Sequence, residues 1–444
     1  MWGVNNLTAV IGALRQMVAN GALLLSDTAQ LIINTGGDIV PGQDPRADAF
    51  GRMRVSANNM LLDSKFNFDK WPLLWDEKLT AGGTATLSTD AACINLAVTA
   101  AAGDIAHRQT FEYFRYRAGQ SQLIDATFVM GTAVAGIVKE IRYGDAENGI
   151  ILQQNGLTTN LLIRSKASGV VVDNAVAQTS WNADVFDGTG SADNPSGILI
   201  DWTKAQIMVI DLQWLGVGAV RIGFNIDGML YYAHEFRHAN AVTDVYMSTA
   251  SLPVGYYIEN VSGAAGSNLR QICSSVTREG AEQNPSVQTE ADNYGVVSTA
   301  TTTLRSILTV RLKSTHIRGA LIPTSFGVVT DTNASVHGEL LLIRGSDIPA
   351  AISGGAWADC SGIGSASEFS TVQADLSGVT LYHPVAGSWI PAGNQDRQSG
   401  FAVDQTVSAH ADIDGLPDYL VLSVQTPAGT SATTRAVVTF LEQF

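Results

Sequence analysis

The chain has 444 residues, 45% of them hydrophobic and only 15% charged, which argues against a disordered chain and is enough for two or three domains at ~150 residues each. Its 41 acidic and 26 basic residues leave a net charge of −15 with the basic ones scattered, so nothing is set up to neutralise phosphates and nucleic acid is not an expected partner. The three cysteines, Cys93, Cys273 and Cys360, are too few and too far apart for a disulfide framework or a clustered zinc site, and they fit assembly in a reducing cytoplasm.

The first residues read as an arm. Leu7, Val10, Ile11, Leu14, Met17 and Val18 recur at helical spacing, and Asn20-Gly21 can end that helix. The apolar stretch from Leu7 to Leu25 carries Arg15, Gln16 and Asn20, too polar for a membrane span, and Met1 to Asn6 lacks the basic start of an export signal. Gly36-Gly37 and Pro41-Gly42 mark an irregular segment leading into Asp48–Ser56. A short helix followed by a polar extended stretch cannot build a core of its own, so residues 1–63 are expected to be an arm with a short helix.

From Ser64 the pattern changes to strands. Val170-Val171-Val172, Ile198–Trp202 and Ile207–Leu212 are short β-rich runs between turn residues. The clearest signal is Val220–Ile226, then Asp227-Gly228, then Met229–Phe236: Asp-Gly between two strand-type runs suits a tight hairpin turn that needs positive φ at both central residues. Asp187–Gly197 is a long polar loop. These features predict a β-sandwich over residues 64–277, a polar linker over 278–295, and a second, smaller β-sandwich over 296–444. Its strands are expected at Leu304–Lys313, Ser325–Val329, Glu339–Ile343, Tyr419–Val424 and Ala436–Leu441. The fold class is therefore all-β: two jelly-roll-like β-sandwiches preceded by a helical or extended N-terminal arm.

His234-Glu235-Phe236-Arg237-His238 matches the H-E-x-x-H pattern of zinc proteases, but that chemistry needs both histidines on one face of a helix. Here the motif closes the hairpin strand. Residues four apart in a strand are separated by ~13 Å, too far to share one ion, so two surface or subunit-contact histidines are expected. Asp201, Asp211, Asp227, Glu235 and Glu259 are candidate hydrolytic carboxylates, yet they form no tight i, i+2 array, and turn or sheet-edge roles are expected. No nucleophile elbow or dinucleotide-binding glycine pattern is present. Trp71 and Trp75 lie at helical spacing beside Pro72, while Trp202 and Trp214 sit in apolar runs as core residues.

The stretch Asp48-Ala-Phe-Gly-Arg-Met-Arg-Val-Ser56, with Leu61–Lys65 after it, resembles a segment near the N-terminus of a group of bacteriophage virion structural proteins. Trp214–Gly218 through Asp227-Gly228, His234–Asn240 and Tyr246–Pro253 are similar to the central part of that group. Ser306–Lys313, Leu321–Thr324 and the closing strand to Phe444 are similar to its C-terminal part. The central region also resembles concanavalin-like lectin sandwiches. The resemblance implies a non-catalytic, oligomeric component of the virion without a cofactor, built in the host cytoplasm and bound to other virion proteins and to copies of itself. The arm is the expected attachment, with Leu7, Val10, Ile11, Leu14, Phe50, Arg52 and Arg54 as its contact residues. The alternative is a lectin-like fibre or decoration protein that binds host surface glycan through loops such as Asp187–Gly197. A depolymerase and a metalloprotease are weaker readings.

Overall fold

The computed structural model describes residues 47–49, 51, 52, 54, 57–263, 265–280, 286–294, 298–330, 334–392, 407–427 and 430–443, and the backbone of 396–400. The first sandwich contains β1 (Asn58–Lys65), β2 (Trp75–Thr80), β3 (Thr84–Ser88), β4 (Cys93–Val98), β5 (Ile105–Thr110), β6 (Gln122–Val129), β7 (Ile137–Gly144), β8 (Gly149–Asn155), β9 (Thr158–Ser165), β10 (Val172–Ala177), β11 (Ala205–Leu212), β12 (Val220–Ile226), β13 (Met229–Phe236), β14 (Val254–Asn260) and β15 (Ser267–Glu279). The second contains β16 (Val287–Asp292), β17 (Ser298–Ala300), β18 (Arg305–Leu312), β19 (Ala320–Thr330), β20 (Val336–Ile343), the one-turn helix α1 (Ala350–Ser353), β21 (Ala358–Asp359), β22 (Ser367–Ser370), β23 (Tyr382–Ile390), β24 (Asp396–Gly400), β25 (Tyr419–Gln425) and β26 (Ala432–Gln443).

Every paired strand is antiparallel. In the first sandwich, one sheet runs β13-β12-β11-β6-β15-β4-β3 with β1 alongside β15, and the other runs β10-β9-β8-β7-β14-β5-β2. Alternation decides which side chains meet between them: Gln122, Ile124, Ala126 and Phe128 of β6 point inward while the residues between them are partly exposed. They pack in a core that includes Leu96, Ile141, Leu152, Phe224, Tyr256 and Ile258. In the second sandwich, β16-β26-β19-β24 with β17 beside β26 faces β21-β22-β18-β25-β20-β23. Leu308, Val310, Phe326, Leu340, Leu422 and Phe440 fill the space between those sheets. A satellite core of Leu341, Ile343, Ile352, Leu376 and Val421 lies on the other face of β20 and β25.

The Asp227-Gly228 hairpin is as the sequence indicates: Asp227 has φ 52° and Gly228 φ 79°, joining β12 and β13. Several boundaries differ from the sequence reading. Asn58–Lys65 lies mostly within the expected arm, which was to end at residue 63, but pairs with β15, because Leu62 and Ser64 alternate inward and lead to buried Phe66. The linker shortens as well: residues up to Glu279 belong to β15, and Val287–Asp292 pairs with β26. Ile198–Trp202 is not a strand. It makes a single bridge, Leu199 to Asp187, and then turns where the Asp201 carboxylate takes the N–H (2.9 Å) and hydroxyl (2.6 Å) of Thr203. The expected helix and its contact residues Leu7, Val10, Ile11 and Leu14, together with Phe50, lie outside the described residues. Among the described residues no helix is long and apolar enough to cross a membrane.

The two sandwiches meet through polar contacts. Arg318, just before β19, bonds Asp145 (2.9 Å) and Glu147 (3.0 Å) of the β7–β8 turn. Arg344, just after β20, donates to Asp418 (2.6 Å) and to the carbonyl of Pro72 (2.9 Å), and its guanidinium lies 3.6 Å from the Phe111 ring centre. The N–H of Ile413 donates to Asp76 (2.8 Å), and Lys78 pairs with Asp414.

Candidate functional site

Beside this joint is a cleft of about 760 Å³, within the size range of small-molecule sites. One wall is the turn before β2 with the end of β5: Lys70, Leu73, Trp75, Asp76, Glu77, Arg108 and Phe111. The other is the end of β20, the start of β23 and the turn before β25: Arg344, Ser346, Leu381, Tyr382, His383, Asp412 and Asp418.

The first wall is held in an unusual backbone. Trp71 has φ 57°, a left-handed conformation that a bulky side chain rarely adopts. It is held there by the indole N–H donating to the Lys65 carbonyl (2.7 Å) and by its own carbonyl accepting from the N–H of Leu74 (2.9 Å) and Trp75 (2.8 Å). That single helical turn accounts for the helical spacing of the two tryptophans. It leaves Trp71 45% and Leu73 42% exposed while Trp75 enters the core and donates to Ser64. Behind them Arg108 is fully buried, with its guanidinium 5.0 Å from the Phe66 ring centre and 5.4 Å from that of Trp75. It reaches Glu77 (2.9 Å) and donates to Gln271 (2.7 Å) and the Lys70 carbonyl (2.5 Å), and burial brings its pKa down to about 10.

The second wall carries the carboxylates. Asp418 is fully buried; one oxygen accepts from Arg344 and from the N–H of His410 (3.3 Å), and burial lifts its pKa to about 6. Burial also raises Asp412, to which the nearby Asp76 charge adds, and it raises Asp76 in turn. Both of these are already bonded to backbone, Asp76 to the N–H of Ile413 and Glu77, and Asp412 to those of Asp414 and Leu416. The cleft thus joins apolar surface to several acceptors, an arrangement able to bind a partly polar ligand. Among the described residues no group of three His, Cys, Asp or Glu is placed to hold a metal.

Of the residues singled out from sequence Trp75 lines the cleft, and the others lie elsewhere. Arg52 forks onto Asp48 (2.9 and 2.7 Å) and donates to the Gly119 carbonyl (3.0 Å). Arg54 bonds Asp211 (2.6 Å) and pairs with Glu279. Both therefore fasten their own segment to the first sandwich. His234 and His238, expected as surface or subunit-contact residues, are buried within the chain: His234 accepts from the N–H of Asn182 (3.2 Å), and His238 bonds the Gly218 carbonyl (2.7 Å) and stacks on Tyr246 at 3.9 Å. Burial lowers the pKa of both, that of His234 to about 4.

The candidate carboxylates have separate tasks. Asp211 and Glu235 flank Arg221 in register on β11, β12 and β13, but Arg221 pairs with Asp211 whereas Glu235 pairs with Arg237 (2.7 Å). Asp227 is the hairpin turn, and Glu259 accepts from the Tyr257 hydroxyl (2.6 Å). In the Asp187–Gly197 loop, buried Asn194 donates to Asp184 (2.6 Å), which also accepts from the N–H of Ser196 (3.0 Å), so these groups hold the loop itself. Trp202 and Trp214 are partly buried against the first core. Sequence reasoning missed Asp76, Asp412 and Asp418. The one available signal was the run Asp412-Ile413-Asp414-Gly415-Leu416-Pro417-Asp418, acidic residues crowded into a turn.

No family model matches the chain, and no curated protein does. Solved structures similar to part of it include a conserved carbohydrate esterase from Shiga toxin-encoding bacteriophage phi24B, with 10% identity over 51% of this chain and 100% of that one, at a TM-score of 0.31. The CBM2 module of the evolved Dit of Lactobacillus casei BL23 phage J-1 is 8% identical over 51% of this chain and 99% of that one, at 0.31. A glycosyl hydrolase family protein from Mycobacterium fortuitum is 12% identical over 49% of this chain and 99% of that one, at 0.35. Scores this low assign no activity to this chain.

Proposed function

We propose that the chain is a non-catalytic structural component of a bacteriophage virion, oligomeric and attached to other virion proteins through its N-terminal arm. The observation that carries this reading is how Ala47 and Arg54, at the stretch that resembles a segment near the N-terminus of virion proteins, are held. Arg54 and Arg221 converge on buried Asp211, and Arg221 also donates to the Ala47 carbonyl (2.6 Å). A segment tied into the sheet in this way is a firm base for an arm that reaches a neighbour, and symmetric assembly multiplies such weak contacts. The test is a chain lacking residues 1–44: it is expected to fold and to be left out of particles. Normal incorporation would sink the reading.

A second reading, glycan binding, is favoured by the cleft, where exposed Leu73, Leu381 and Tyr382 adjoin the acceptors Asp76 and Asp412. The apolar face of a sugar ring packs on such side chains while its hydroxyls donate to carboxylates. Binding on a glycan array that disappears with Tyr382→Ala supports this reading, whereas binding that Tyr382→Ala leaves intact moves it to another surface, such as the Asp187–Gly197 loop.

A further inference from the structure

The charges of the cleft do not balance. Its three cations are already engaged: Lys70 (3.0 Å) and Arg108 (2.9 Å) both reach Glu77, and Arg344 takes Asp418. Asp76 and Asp412 have only backbone donors, and they stand close together because the residue after Asp412 donates its N–H to Asp76. Burial disfavours the ionised form of both, the Asp414 charge adding to it at Asp76 and the Asp76 and Asp414 charges at Asp412, while Arg344 works the other way at Asp76. An independent observation points the same way. Asp418 lines the cleft with its side chain fully buried, yet its Oδ1 has no hydrogen-bond partner among the described residues. Such an acceptor lowers the stability of a fold unless something donates to it. The missing component is a cationic donor, and the apolar rim requires that it be joined to a body with an apolar face.

We propose that the cleft takes a sugar bearing a protonated amine, with the ammonium between Asp76 and Asp412 and the ring against Leu73, Leu381 and Tyr382. The proposal rests on the glycan reading and narrows it to amino sugars that are not N-acylated. An ammonium supplies three donors and one charge, matching two carboxylates that have only backbone donors and leaving a donor for Asp418.

The test is calorimetric titration of the full chain at pH 7 and 0.15 M salt with a glucosamine oligomer, its N-acetylated counterpart and a glucose oligomer of equal length. The glucosamine oligomer is expected to bind at least tenfold more tightly than the other two. Asp76→Asn and Asp412→Asn, made singly and together and checked for folding by circular dichroism, should erase that preference. Tyr382→Ala should weaken all binding. If the acetylated or neutral oligomer binds as well as the amine and Tyr382→Ala abolishes it, the glycan reading stands and the amine is wrong. If none binds, both fall. Binding of the amine that survives both Asp→Asn changes is attraction to an acidic surface and overturns the site.

Discussion

Asp211 in the first sandwich and Asp418 at the joint are the same residue type, and both are fully buried, but they are treated oppositely. Asp211 accepts from two arginines, Arg54 (2.6 Å) and Arg221, from the Ser121 hydroxyl (3.1 Å) and from the Tyr232 hydroxyl (3.3 Å), which engages both of its oxygens. Asp418 has one arginine and one backbone N–H, both on the same oxygen. Burial alone therefore does not say what a carboxylate is for; the number and placement of its donors does. The first is a structural node that holds a chain segment, and the second is a group left unfinished beside a cavity.

The largest effect that can break this comparison is expected from Asp211→Asn. The change takes from Arg221, 2% exposed, the carboxylate it pairs with, and leaves Arg54 with Glu279 as its remaining carboxylate. Stripping one side from a buried pair lowers stability by about 3–5 kcal/mol. Urea unfolding measures it, and a loss below ~1 kcal/mol would mean that the node is not what fastens Asp48–Arg54 to the sheet.

A smaller and pH-dependent effect is expected at Asp418. Its folded pKa, about 6, is above the ordinary value of 3.8, so between those values the folded state binds more protons than the unfolded one. Stability then falls as pH rises through that interval and is greater at pH 4.5 than at pH 7, by roughly 2 kcal/mol from this group. Asp418→Asn should remove that contribution, so the difference between wild type and variant should shrink or reverse as pH rises. A difference that stays constant from pH 4.5 to 7 would show Asp418 to be as well satisfied as Asp211.

How much of this was legible in the sequence depended on range. The Asp227-Gly228 hairpin and the alternation in β26 are local, because turn chemistry and the two-residue period act within a few residues. The place of residues 58–63 was misread because a strand that among the described residues pairs only with β15, more than 200 residues later, gives no local sign of its partner. His234 and His238 were placed at the surface or a subunit contact for a similar reason: the residues they meet, Asn182, Gly218 and Tyr246, come from other segments. The cleft left only the acidic Asp412–Asp418 run as a local sign. Its central contact joins Asp76 to Ile413, 337 positions apart, and no spacing rule pairs such residues.

The smallest effect belongs to a control within the sheet that carries Asp211. Gly228 has φ 79° at the tip of the β12–β13 hairpin, and a Cβ added there would meet nothing within 4 Å. Gly228→Ala therefore incurs only the conformational penalty of a left-handed alanine, about 1 kcal/mol. Gly223, on the same strand pair, is a different case: its Cβ would lie 2.3 Å from the Tyr231 carbonyl oxygen, where the register of β12 and β13 shifts, so Gly223→Ala must displace backbone. Urea unfolding of the two variants should rank Gly223→Ala well below Gly228→Ala in stability. If Gly228→Ala lost as much as Asp211→Asn, this sheet would be fragile to any change, and the loss at Asp211 could no longer be assigned to its two arginines.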